Sequence, residues 1–442
     1  MERSTRKKAV KPELLSPGGS LEKLRMAFLY GADAVYTSGK DFGLRGFAHN
    51  LDRDQLAAAS RMAHGLGKKI YVTANIFARG SDLAKMPSFL EYLQAIRIDA
   101  LIISDPGVLM LARKYAPGVA VHLSTQANTT NALSVRFWQE QGVRRINPAR
   151  ELSLSEIAEI VEATEAEIEI FVHGAMCMSY SGRCLMSAFL NPAGSSSVAR
   201  SANSGFCTQP CRWSWTLVEE KRPGEYFQVE QDSRGAYILN SKDLCLLEEI
   251  GALVGLGIDS LKIEGRMKGA LYVASVTRAY RQAIDRCERG RYTVEPAWVD
   301  DLEKISHRPY TKGGLFAGDT DRKPDVETRI SYIQTHTLGG LVRPGTGDQQ
   351  VGYRPGEKIF FEARSRLLSG QELEFLNPDG SSSFHVLGAF EDLNGNGLTM
   401  AQPNMLIRFC VDFAVFAFQA VRVSTGGAAR GEESLELGRA MM

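Results

Sequence analysis

Four of the seven cysteines in this 442-residue chain fall within one stretch, Cys177, Cys184, Cys207 and Cys211, spaced C-x6-C-x22-C-x3-C. Thiolates are soft ligands, and four of them gathered in a cysteine-poor chain point to a bound metal. Structural zinc sites close their tetrahedron with C-x2-C pairs, and none occurs here. Disulfide frameworks belong to small secreted chains, and this chain carries no secretory signal. The C-x3-C-x2-C pattern of radical enzymes fails at Ser214, which stands where a third cysteine is needed. An iron–sulfur cluster on four thiolates from separate loops is the reading carried forward. Zinc and a set of buried, unligated thiols remain its alternatives. Glycine and serine pairs (Ser181-Gly182, Gly194-Ser195, Ser204-Gly205) give the stretch the texture of a wrapping loop.

The other three cysteines read differently. Cys287 continues a helical stripe with Val273, Val276, Tyr280 and Ala283, which makes it core. Cys410, between Phe409 and Val411, is also expected in a core. Cys245 in NSKDLC is placed one turn into a helix spanning 242–256, capped by Ser241. A helix N-terminus lowers a thiol pKa, so Cys245 stands as a reserve ligand.

The elements that must position these groups follow a strand–helix rhythm. Short apolar runs begin near Glu13, Ala34, Ile70, Leu101, Val119, Arg145, Ile168 and Ser260, with amphipathic stretches such as 20–30, 53–66, 107–115, 130–141 and 153–163 between them. Eight such units predict a parallel sheet closed into a TIM-like (β/α)8 barrel over residues 12–330. The segments beginning Gly31-Ala32-Asp33, Ile98-Asp99-Ala100, Gly142-Val143-Arg144 and Gly257-Ile258-Asp259 form a weak repeat where helices end and strands start. The cysteine-rich stretch becomes a long insertion, 174–241, after the seventh strand. Residues 331–423, rich in Gly, Pro and Asn turns, predict a small all-β C-terminal domain, expected as a barrel. A basic arm (1–11) and a disordered tail (424–442) complete the chain.

Barrel chemistry sits at the C-terminal ends of the strands. There the sequence places Ser16, Ser38, Thr73, Asn75, Asp105, Ser124, Gln126 and the candidate functional residues. His173 and Glu264 are the candidate catalytic groups, with a satisfied strand-end histidine and a structural ion pair as the plainer readings. Arg45, Arg150 and Arg266 are the candidate substrate-binding groups, because a planar guanidinium matches two carboxylate oxygens. Three arginines at one mouth imply a small anionic substrate. The net charge of +1 offers no global basic field, so RNA would be met by local patches. No run of about 18 apolar residues predicts a membrane span, and reduced thiols fit a cytoplasmic protein.

Taken together, ELLSPGG, GADAVYTSG, FGLRGF, HGAMC…YSGRC…CTQPCRW, NSKDL, KIEGRMK and HRPYTKG resemble the U32 peptidase-like family, over residues 12 to 320. Within it they are most similar to the branch that carries out prephenate-dependent tRNA hydroxylation. The resemblance implies a TIM-like barrel, a β-rich C-terminal domain and a 4Fe-4S cluster on Cys177, Cys184, Cys207 and Cys211. It also implies a tRNA-modifying enzyme that makes 5-hydroxyuridine at the wobble position, with prephenate as cosubstrate. tRNA and the iron–sulfur assembly proteins that load a cluster are then its expected partners. The older peptidase label is the runner-up, although the chain lacks both an H-E-x-x-H helix and a G-x-S-x-G elbow. A third reading is a non-catalytic RNA-binding partner of a modifying enzyme.

Overall fold

The computed structural model describes residues 11–40, 42–43, 50–176, 240–288, 291–316, 332–345 and 351–425, with short strand segments at 217–218, 226–227, 230–232, 235–237 and 326–327. Seven parallel strands run in chain order: β1 (Glu13–Pro17), β2 (Ala34–Ser38), β3 (Lys69–Ala74), β4 (Ala100–Ile103), β5 (Ala120–Leu123), β6 (Arg145–Ile146) and β7 (Glu167–Ala175). The strand Ser260–Ile263 pairs in parallel with both β7 and β1 and closes the barrel. All eight expected strands are therefore present, within a residue or two of their sequence positions.

Local chemistry explains where the intervening helices start. Asp52 and Gln55 form a capping box on the helix Arg53–Gly65, and Ser153 and Glu156 form another on the helix Leu154–Ala163. Asp105, one of the polar strand-end residues, is spent as the N-cap of the helix Pro106–Tyr115, where it accepts the Val108 amide at 3.0 Å.

The weak repeat does more than end helices. Asp33, Asp99 and Asp259 each donate a backbone N–H to the neighbouring strand, at Leu14, Ile70 and Ile168. Each also accepts the N–H of that same residue on its carboxylate, at 3.0, 2.8 and 2.7 Å. This two-pronged staple sets the register of three strand pairs at the end of the barrel opposite the mouth, where contacts serve stability and not chemistry.

The barrel interior is divided. Leu15, Ala34, Tyr36, Tyr71, Ala100 and Ile102 form an apolar half. The other half is ionic: Arg145 bridges Glu13 at 2.5 Å and Glu167 at 2.7 Å, and Lys262 meets Glu169 at 2.8 Å. Burial alone would raise the Glu169 carboxyl, but Lys262 and then Arg145 hold it below the usual carboxylate range.

One expected helix is replaced. Residues 243–245 form a strand antiparallel to β7, pairing Asp243 with Ala175 and Cys245 with His173, and the helix begins only at Ile250. The β7 edge offers unpaired backbone groups at that point, and satisfying them overrides the helical pattern over 243–245, before a 3-10 turn at Leu247–Glu249 leads into the helix. The segment Tyr310–Thr311 then adds beside this strand.

The C-terminal part is all β, as expected, but as an eight-stranded antiparallel sheet running from Ser382–Val386 at one edge to Gly397–Leu398 at the other. Among the described residues no pairing joins those edges, so the expected barrel is an open sheet. Cys410 corrects a further expectation: Ile407 and Phe409 alternate into the core, which turns Cys410 outward to an exposed position. Cys287 is buried at the end of the helix Ala270–Arg286, as its stripe implied. No helix among the described residues is long and apolar enough to cross a membrane.

Barrel and sheet dock through buried charge. Asp301, on the helix Pro296–Lys304, accepts Arg278 at 2.6 and 2.8 Å and lies 2.9 Å from Arg422, which also pairs with Glu374 at 2.6 Å. Tyr30 seals the same seam by donating to the Leu376 carbonyl and accepting the Ala420 amide. Removing the central carboxylate leaves two buried guanidinium groups underpaired. Asp301→Asn is therefore expected to destabilise the protein by about 3–5 kcal/mol in urea titration, against less than about 1 kcal/mol for loss of the exposed Lys312 ion pairs. Equal effects of the two substitutions would show that the seam does not rest on Asp301.

Candidate active site

The strand ends carry two groups of polar residues, and the structure sorts the expected ones among them. Arg266 is buried and donates Nη1 to Thr73 Oγ1 at 3.1 Å, reaching from the loop after the closing strand to β3. Glu264, two residues earlier, accepts the Tyr36 hydroxyl at 3.0 Å. On the far rim, Asn75 donates to Gln126 at 2.7 Å and Ser124 donates to the same oxygen at 2.8 Å. Ser16 is turned the other way, to Thr277 at 2.8 Å in the helix layer, and serves packing. Gly43 packs closely on the end of β2, where a Cβ would stand 1.8 Å from Ser38 Oγ. Arg45, two positions further, lies outside the described residues. So do Cys177, Cys184, Cys207 and Cys211.

His173 lies at a break in strand phase. Along β7, Glu167, Glu169 and Phe171 point inward by alternation, and Lys262 Nζ sits 5.3 Å from the Phe171 ring centre. Between Phe171 and His173 the register with the closing strand shifts, so that Ile263 faces His173. This bulge turns His173 out of the barrel into the helix layer, among Tyr272, Tyr280 and Tyr310 at ring distances of 5.9, 5.5 and 5.4 Å. Its Nδ1 lies 3.4 Å from the Tyr280 hydroxyl, whose proton is given to the Val172 carbonyl at 2.8 Å. Burial pushes the His173 pKa down to about 3, against an opposing pull from Asp243. A neutral imidazole in that place holds the strand junction together.

Gly174 extends the junction. Its φ is +109°, and a Cβ there would stand 2.3 Å from the Glu264 carbonyl. The HGA and KIEGR segments thus touch backbone to backbone, with the Glu264 amide donating to the His173 carbonyl at 2.8 Å. Cys245, on the partner strand, packs its sulfur 3.8 Å from the Tyr280 hydroxyl. Burial raises its thiol pKa, the reverse of what a helix N-terminus was expected to do.

Three residues that sequence reasoning passed over complete the site. Asp243 and Arg308 form a buried pair, with Arg308 donating to Asp243 Oδ1 at 2.7 and 2.9 Å. Both belong to motifs already singled out, NSKDL and HRPYTKG, but only the fold brings them together. Asn147, at the end of β6, donates Nδ2 to Glu169 at 3.1 Å and lines a cleft with Arg150, Phe171, Met176, Gly313 and Gly314. Arg150 leans over the Phe171 ring at 5.9 Å. It therefore occupies a different side of the mouth from Arg266.

Fold and site define a TIM-like barrel protein with a cysteine-rich βα insertion after its seventh strand. The chain belongs to peptidase family U32, whose model matches residues 19–324. It is similar to tRNA hydroxylation protein P1 of Bacillus subtilis, at 36% identity over 93% of this chain and 94% of that one. It is also similar to tRNA hydroxylation protein P of Escherichia coli, at 36% identity over 88% of this chain and 91% of that one. A third relative, a 23S rRNA 5-hydroxycytidine synthase of Escherichia coli, is 37% identical over 70% of this chain and 47% of its own length.

Acid stability reports the burial of His173. Between pH 6.5 and about 3 the unfolded chain binds a proton that the native imidazole refuses, so this contribution is complete above 6.5 and lost as pH falls. The depressed carboxyls Glu13, Glu169 and Asp243 act only below about pH 4.5. The urea midpoint should therefore already decline between pH 6.5 and 4.5, and less steeply in His173→Gln. An unchanged slope in that variant would mean that His173 is protonated in the native state.

Proposed function

We propose that this chain hydroxylates RNA: it converts the wobble uridine of tRNA to 5-hydroxyuridine, with prephenate as cosubstrate and a 4Fe-4S cluster on Cys177, Cys184, Cys207 and Cys211. The observation that carries this reading is the 36% identity to a tRNA hydroxylation protein, which runs through 93% of the chain. The 5-hydroxycytidine synthase among the relatives supports C5 of a pyrimidine as the reacting atom.

The cluster fits the donor set. Four cysteines lie in a segment whose two ends are held together, because Ala175 pairs with Asp243 across the β7 edge. Both ends of the segment thus emerge at one point of the mouth, and Asp243 is locked there by Arg308. A bound cluster supplies a redox-active iron centre. Cys245 remains outside this set, packed behind the strand against Tyr280.

The chain's own residues have simpler tasks. Arg266, buried at the mouth, would hold a carboxylate of the anionic cosubstrate, with Thr73 fixing one guanidinium nitrogen. Glu264, steadied by Tyr36, is placed to accept a proton in the same space.

Mass spectrometry of tRNA nucleosides from a strain lacking the gene should show loss of 5-hydroxyuridine derivatives. Restoration is expected with the wild-type gene, but not with Arg266→Ala, and only weakly with Arg266→Lys, because a point charge cannot reproduce the fork. Full restoration by Arg266→Ala would return that arginine to a packing role. Unchanged tRNA in the deletion strain would overturn the function itself.

Protein purified without oxygen should hold about four irons per chain. Cys177→Ser or Cys184→Ser should lose them, whereas Cys287→Ser should keep them. Stoichiometric zinc without labile sulfide in a folded sample would replace the cluster with a structural metal.

A further inference from the structure

The third strand goes on presenting side chains after its pairing ends. Along Lys69–Ala74, Tyr71 belongs to the barrel interior and Thr73 meets Arg266 at the mouth. Just past the strand, Asn75 serves the same side and donates to Gln126 on the rim at 2.7 Å. Ile76 is then buried and Ala78 packs against the main core, so Phe77 and Arg79 fall on the outward side. An extended chain spans at most about 3.6 Å per residue, which keeps Phe77 within about 14 Å of Thr73. The Ser104 hydroxyl donates to the Asn75 carbonyl at 3.2 Å, and the Arg79 amide donates to Asp82 at 2.8 Å. The segment is anchored at both ends while its outward side chains stay open.

The last two of those side chains do no structural work. Phe77 is 63% exposed, although the residues on either side of it are packed. One exposed apolar residue is ordinary on a protein surface, but this one stands beside the mouth and next to a cation. Arg79 is exposed and forms no ion pair among the described residues. Its guanidinium has only donors, so it cannot cap the helix Gly80–Ala95 that follows it. Thr73, Asn75, Phe77 and Arg79 thus present a hydroxyl, an amide, a ring and a guanidinium, with no carboxylate among them. An open ring beside an unpaired cation suits a strand whose bases stack and whose phosphates carry charge. A protein partner would call for a broader apolar patch, and a membrane surface for a cluster of basic groups.

We propose that residues 75–79 are a contact for single-stranded RNA, in which Phe77 stacks on the base of a nucleotide next to the target and Arg79 meets a backbone phosphate. The proposal rests on the RNA-hydroxylation reading and deepens it, by naming where the strand lies while the target nucleotide enters the mouth. The bases of a single-stranded loop are free to splay onto an aromatic ring, which those of a duplex are not.

The test uses a full-length tRNA transcript with uridine at the wobble position, and measures its dissociation constant and its rate of hydroxylation. The intact protein is compared with Phe77→Ala, Phe77→Trp and Arg79→Gln, each checked for a native melting midpoint. Phe384→Ala is the control, since Phe384 is 54% exposed on the C-terminal sheet. Phe77→Ala should weaken binding by about tenfold, and Phe77→Trp should hold it within about threefold of wild type. Phe384→Ala should leave it unchanged. Arg79→Gln should weaken binding and flatten the slope of log affinity against log salt by about 0.7, the share of one phosphate on a single strand. Wild-type affinity in Phe77→Ala, or an equal loss in Phe384→Ala, overturns the proposal. An unchanged salt slope in Arg79→Gln overturns its phosphate contact. If binding behaves as expected but no tRNA is hydroxylated, the RNA contact stands and the hydroxylation reading falls. If the wild type hydroxylates tRNA and Phe77→Ala binds it as tightly, the reverse holds.

Discussion

A carboxylate sealed inside a closed barrel must be surrounded by donors, and Glu169 organises half of this molecule on that condition. Lys262 and Ser260 reach it from the closing strand, Arg145 and Asn147 from β6, and Arg145 carries the linkage on to Glu13 of β1. Removing Lys262 or Arg145 would leave charge uncompensated in a dry interior, where it is most costly, and removing Ser260 or Asn147 would leave a buried carboxylate short of a hydrogen bond. The same network decides which way the Asn147 amide faces.

Two residues further along β7 a bulge changes the phase of the strand. Before it, Phe171 belongs to the mouth; after it, His173 belongs to the helix layer. On its other edge β7 outruns the two-residue β6, and the antiparallel segment at Asp243–Cys245 takes up the exposed backbone. Bulges commonly re-aim side chains beside active sites. Here a single irregularity turns the histidine into the helix layer. The groups that face the mouth are carried by strand ends braced by buried ion pairs, which gives them a rigid support.

Family membership and chemistry are separate matters in this protein. The family name speaks of peptidases, yet two of the relatives cited are tRNA hydroxylation proteins and the third is an rRNA hydroxycytidine synthase. A barrel hosts many reactions on one scaffold because its loops vary while its strands do not. The mouth described above has an arginine held by a threonine and a glutamate held by a tyrosine, with a neutral amide rim opposite.

Periodicity along the chain was enough to count eight strands, place their ends and separate a β-rich C-terminal part, because hydrophobic alternation and glycine punctuation are local properties. The four clustered cysteines and the arginines near strand ends were equally visible, since their meaning lies in residue type and spacing. What the chain could not disclose alone were facts of register and of distance across the fold. The helix expected around Cys245 became a strand because an unpaired β7 edge lay beside it. Cys410 faced solvent because strand phase, not apolar neighbours, sets the direction of a side chain. His173 left the mouth because one bulge reversed the alternation, and Arg308 found Asp243 across 65 residues of sequence. Asn147 acquired its fixed acceptor only when Glu169 was placed beside it, since the orientation of an amide is decided by its hydrogen-bond partner, which no local pattern encodes.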